Sequence, residues 1–224
     1  MEKNDYEKPR SPKDLIAWVG YWQTQLQSNE ALSKEFRNRT GLWRQFATEA
    51  LPIRRFIRDR YETANDVTIT LRSGSQAYDA ELSVGGVAHY LEVTSTNDLV
   101  DAYQREYLNT HGVAPGDPVG IDHGADLQRA RQNNFPHNPG QFVYGNSGQE
   151  EELAKVVDRI RAKLAHTNYP AQTILIVSAE ETLLDLWKDH QILDWVMNRI
   201  GVSTPNPFSE IWLVLQDGRC LRVL

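Results

Sequence analysis

Apolar and polar positions change their period several times along the chain. From Ser11 onward, Leu15, Val19, Trp22 and Leu26 recur at helical spacing. Ser11 suits the cap, Pro12 the first helical position, and Asp14 a capping-box acid. A second helical region is expected from about Leu32 to Glu62, divided into shorter helices by Thr40-Gly41 and by Pro52. The period then drops to two. "DVTITLRSG", "YDAELSV" and "VAHYLEVTS" each alternate as strands, the last two joined by Gly85-Gly86. Residues Asn109 to Gly148 are irregular and rich in Gly, Pro, Asn and Asp. A connection of that length in a compact domain is functional or disordered. A helix is expected from about Gln149 to His166. "QTILIVSA" is apolar nearly throughout, as in a strand covered on both faces. "EETLLDLWKDHQILDWVMNRI" reads as a helix, with Leu183, Leu186, Trp187, Leu193 and Val196 as core candidates and Gly201 closing it. "EIWLVLQDGRCLRVL" reads as a terminal hairpin with Asp217-Gly218 at its tip.

This order predicts an α/β protein: a mixed central sheet flanked by helices, with an N-terminal helical extension. Its 224 residues suit one domain. Residues 1–10 are expected to be a flexible tail. The domain would then span 11–224, with N-terminal helices over 11–62 and a loop insertion over 109–148. No apolar run approaches the ~18 residues of a membrane span, and the polar N-terminus lacks a signal core, so a cytoplasmic protein is expected. The lone Cys220 excludes an internal disulfide and reads as a buried small hydrophobe. Net charge is −6, so the whole molecule is not a basic binder. Yet Lys34 to Glu62 holds eight Lys/Arg against four Asp/Glu, enough for a local phosphate-binding patch.

The Gly-Gly hairpin carries the candidate chemistry. A two-residue turn sets Val84 opposite Val87. Stepping back along both strands sets Glu81 opposite Tyr90 and Asp79 opposite Glu92. Tyr78, Ala80, Leu82 and Val84 then share an apolar face with Val87, His89, Leu91 and Val93. Asp79, Glu81, Tyr90, Glu92 and Thr94 share the other. Opposed carboxylates destabilise a sheet unless water screens them or a divalent cation bridges them.

On "YDAEL", the Gly-Gly hairpin and "HYLEVT", within a helix, three-strand, helix, strand order, the chain resembles the PD-(D/E)XK nuclease superfamily, the restriction-endonuclease-like fold. The resemblance covers about Leu42 to Leu215. It implies magnesium (or manganese) held by Asp79 and Glu92, with a first-helix glutamate. Glu49 is the leading candidate and Glu62 the alternative. The family's lysine position is occupied by Thr94, which carries no positive charge. The resemblance then implies a cation recruited from the following helix, either Lys155 or Lys163, as a catalytic residue. The implied activity is metal-dependent hydrolysis of phosphodiester bonds, in DNA foremost. The alternative is an inactive member of the fold that binds nucleic acid or a protein partner. A homodimer is left open.

Other positions admit two readings. Arg54, Arg55 and Arg58 suit phosphate contacts in nucleic-acid binding, or a solvated helix face. Tyr103, Gln104 and Tyr107 suit substrate contact or ordinary packing. Phe135, Phe142 and Tyr144 suit base stacking or loop anchoring. Asp122 and His123 are a weak metal pair. His89 is expected to be a hydrogen-bonded core histidine.

Overall fold

The computed structural model describes residues 1–96, 146–179, 184, 187–201 and 206–224. The elements are α1 (Lys3–Tyr6), α2 (Pro12–Ser28), α3 (Glu30–Arg37), α4 (Leu42–Gln45), a π-helical turn (Phe46–Ala50) and α5 (Leu51–Tyr61). There follow β1 (Val67–Leu71), β2 (Ala80–Val84), β3 (Val87–Ser95), α6 (Asn146–Leu164), β4 (Thr173–Ser178), α7 (Asp189–Ile200), β5 (Glu210–Val214) and β6 (Cys220–Arg222). The six strands form one mixed sheet in sequential order. β3, β4 and β5 run parallel, and the outer pairings are antiparallel.

Helices cover both faces because β4 and β5 are apolar on both. Ile174, Ile176, Trp212 and Val214 join the core beneath α2 to α5. Leu175, Val177, Ile211 and Leu213 join the core beneath α6 and α7. Ser11 caps α2 by accepting the Asp14 N–H, and Gly201 ends α7 in the left-handed conformation. The terminal hairpin turns at Gly218, whose φ is +93°. Among the described residues no helix is long and apolar enough to cross a membrane.

Three expectations are corrected. Residues 1–10 are not a loose tail. Tyr6 is fully buried, and its ring meets Trp18 edge to face at 6.0 Å. Arg10 exchanges two backbone hydrogen bonds with Ile69 at the β1 edge, and its guanidinium reaches Asp5 and the Trp18 ring. A four-residue helix has no period to read, so docking of its side chains and of the Arg10 backbone fixes this segment. Second, Gly41 separates α3 from α4, but Pro52 does not break the rod. The Leu51 N–H reaches back five residues to the Phe46 carbonyl. The Thr48 hydroxyl donates to the Arg44 carbonyl at 2.9 Å. Pro52 lacks the N–H that a regular helix would direct at Thr48, and the π turn absorbs the defect. Third, the expected helix is not continuous: Trp187 and Lys188 are non-helical and α7 begins at Asp189, with the Gln191 side chain accepting the Lys188 N–H at 3.0 Å, while Leu183 and Leu186 lie outside the described residues.

Candidate active site

The hairpin register holds as the turn demands. Gly85 and Gly86 both have positive φ, and pairing runs from Val84↔Val87 to Ala80↔Leu91. At Asp79 the chain bends. Its N–H still reaches the Leu91 carbonyl at 2.7 Å, and its carboxylate accepts the Val93 N–H at 2.7 Å. Asp79 is thereby pinned against β3 one residue before β2 starts. The bend also ends the two-residue alternation. Tyr78, expected on the core face with Ala80, instead packs on Tyr90 with ring centroids 4.7 Å apart and donates to Glu81.

Four elements converge here on one cleft of about 1100 Å³. Asp79 comes from the bend, and Glu92 and Thr94 from β3. Glu49 comes from the π turn on one face of the sheet, and Lys163 from α6 on the other. Glu92 is buried and ion-paired with Lys163. Phe46 meets Trp18, Phe36 and Trp43 edge to face, and this aromatic cluster fixes the turn that carries Glu49. The buried Tyr6 hydroxyl donates to Glu49 at 3.4 Å, a long hydrogen bond.

The charges explain the electrostatics. Burial, then the charge of Asp79, raises the Glu49 carboxyl to about 9, against a smaller pull from the Tyr6 hydroxyl. Burial, then the charge of Glu92, raises Asp79 to about 7, against the Val93 N–H and Lys163. Burial also raises Glu92, outweighing its ion pair. At Lys163 burial acts to lower the pKa, but the Glu92 hydrogen bond and charge outweigh it, and the net shift is upward. The ammonium therefore stays charged while Asp79 and Glu49 in the same cleft hold protons into the neutral range.

The other predicted residues lie elsewhere. Lys155 pairs with the buried Glu152 at 3.8 Å and does not line the cleft. Glu62 is exposed at the end of α5. Arg55 donates to Gln216 at 3.2 Å, and Arg58 lies against Gly218, so both face the terminal hairpin. Arg54 is likewise absent from the cleft. Cys220 is half-buried, and burial raises its thiol to about 12. His89 is half-buried, but among the described residues its Nδ1 has no hydrogen-bond partner, contrary to expectation. Tyr103, Gln104, Tyr107, Asp122, His123, Phe135, Phe142 and Tyr144 lie outside the described residues, as does most of the 109–148 insertion.

Sequence reasoning missed Lys3, Tyr6, Arg39 and Arg44. Lys3, Arg39 and Arg44 line the cleft, and Tyr6 lies beneath Glu49. The local cationic excess from Lys34 pointed to the right helical layer but not to these members of it. No family model matches the chain, and no solved structure matches it.

Proposed function

We propose that the protein is a metal-dependent nuclease of the restriction-endonuclease-like fold, hydrolysing phosphodiester bonds, with DNA as the foremost substrate. The observation that carries the reading is the Lys163–Glu92 ion pair in a cleft shared with Asp79, Glu49 and Thr94. It supports an ammonium group supplied from α6 where this chain has Thr94 at the motif's lysine position.

The donor set suits a hard divalent ion such as Mg²⁺ or Mn²⁺, since Glu49, Asp79 and Glu92 offer only carboxylate oxygen. The raised carboxyls point the same way, because burial and their mutual repulsion keep Glu49 and Asp79 protonated until a cation displaces those protons. Among the described residues, no three His, Cys, Asp or Glu side chains are grouped closely enough to enclose an ion as they stand. Loading would therefore require side-chain rotation. When bound, the ion supplies Lewis acidity and a more acidic water.

The chain's own residues divide the remaining work. Asp79, pinned by the Val93 N–H, offers a pre-oriented carboxylate. Glu92 orients the Lys163 ammonium. Lys163, charged at neutral pH, stabilises negative charge developing on the phosphate rather than removing a proton. The test is cleavage of duplex DNA by the purified protein with Mg²⁺ or Mn²⁺, with Glu92→Ala as control. Cleavage lost in the control supports the reading. No cleavage by wild type with either metal, on DNA or RNA, favours the inactive binding member of the fold.

A further inference from the structure

The cleft has a second set of charges that the metal chemistry does not use. Lys3, Arg39 and Arg44 line it together with Lys163, so four cations share the cleft with three carboxylates. A chain of net charge −6 therefore has a local cationic excess at its candidate site, even with every carboxyl ionised. Lys3 and Arg44 are exposed. Among the described residues Lys3 makes a loose ion pair with Glu7, at 3.7 Å. Arg44 sits one turn before Glu49, on the rod that carries it.

Their placement uses unusual backbone. Arg39 adopts φ +53°, a left-handed conformation that costs a non-glycine residue free energy. The turn through Arg39 and Gly41 starts α4 and brings both arginines to the cleft. Lys3 is carried by a separate element, α1. Its helix is held in place by buried Tyr6, by the Trp18 indole donating to Asp5 at 2.8 Å, and by Arg10.

We propose that Lys3, Arg39 and Arg44 form a phosphate-gripping rim that holds the backbone of a nucleic-acid duplex across the carboxylate floor. This role replaces the one expected of Arg54, Arg55 and Arg58. It rests on the nuclease reading for the choice of DNA as ligand. Opposed signs in one cleft serve both ends of the task. Rim cations attract the polyanion, and the recessed carboxylates are left for the ion and the reacting phosphate.

The experiment measures binding of a short DNA duplex by fluorescence anisotropy in EDTA, across a range of salt concentrations, so that no cleavage is needed. Arg44→Gln, Lys3→Gln and Arg39→Gly should each weaken binding several-fold. Each should also make the slope of log K against log salt shallower by about 0.9, one phosphate contact. Arg39→Gly keeps the positive φ accessible, so its loss of binding reports charge rather than misfolding. A slope that falls in Arg58→Gln but not in Arg44→Gln overturns the assignment, as does a wild type that binds no duplex. The nuclease reading fails separately. Rim-dependent binding by a protein that never cuts keeps the rim and removes the chemistry, whereas cutting that ignores all three substitutions does the reverse.

Discussion

The Lys163 ammonium on α6 is ion-paired with the Glu92 carboxylate on β3, across 71 positions of sequence. Thr94 lies two residues from that glutamate in the same cleft. The charge that a lysine at position 94 would bring is thus delivered by a helix docked on the sheet.

Lys163 is therefore expected to dominate any cleavage rate. Lys163→Ala should lower metal-dependent cleavage by about 100-fold, the cost of losing one preorganised stabilising group. Lys155→Ala should leave the rate near wild type, since Lys155 is engaged with Glu152. Thr94→Lys in the Lys163→Ala background should restore part of the activity. Equal rates in wild type and Lys163→Ala would remove the ammonium from the mechanism.

Metal should act as a stabilising ligand. At mildly alkaline pH, Mn²⁺ at about 100 times its Kd should add about 2.7 kcal/mol to unfolding free energy. A thermal melt reads this as a rise in Tm. Asp79→Asn should abolish the rise. An equal rise in both proteins would locate the ion elsewhere.

The raised carboxyls predict an inverted pH dependence without metal. Unfolded, Asp79 and Glu49 titrate near pH ~4. Folded, they hold protons up to about 7 and about 9. Between those limits the native state binds more protons than the unfolded chain, so their contribution is greatest at the acid end and is lost as pH rises. Glu7 and Glu81 have lowered values, so they act only below the ordinary carboxyl range and with opposite sign. Melts in EDTA should show Tm falling through neutrality in wild type and falling less in Glu49→Gln. Parallel curves would mean that Glu49 is ionised throughout.

The docked N-terminus should matter to stability. Tyr6 is fully buried against Trp18, beneath the Glu49-bearing turn. Tyr6→Ala should cost about 3–5 kcal/mol in urea unfolding. Tyr6→Phe, which keeps the ring, should cost about 1 kcal/mol and weaken metal binding more than stability. A Tyr6→Ala protein as stable as wild type would show that the segment is not part of the folded unit.

What was legible in the sequence was local. The spacing of Leu15 and Val19, the cap at Ser11 and the alternation of Val67, Ile69 and Leu71 are short-range patterns that any sheet or helix must satisfy. The Gly85-Gly86 turn goes further, because a two-residue turn fixes the register of both strands. That is why the register from Val84↔Val87 to Ala80↔Leu91 could be read before the coordinates were known, although the bend that ends it at Asp79 and the reversed Tyr78 were not foreseen. The rest was decided by docking. Lys163 and Lys155 are two helical turns apart; Lys155 has Glu152 three residues before it on the same helix, but only the seating of α6 on the sheet puts Lys163 beside Glu92. Pro52 signals a helix break, and only the Thr48 hydroxyl and the surrounding aromatic cluster let the rod continue through a π turn that carries Glu49. Lys3 and Tyr6 lie in a segment too short and polar to show a period. Their place at the site follows from the Tyr6 ring and the Asp5 carboxylate meeting Trp18 and from the backbone bonds between Arg10 and Ile69, interactions distant in sequence that periodicity does not encode.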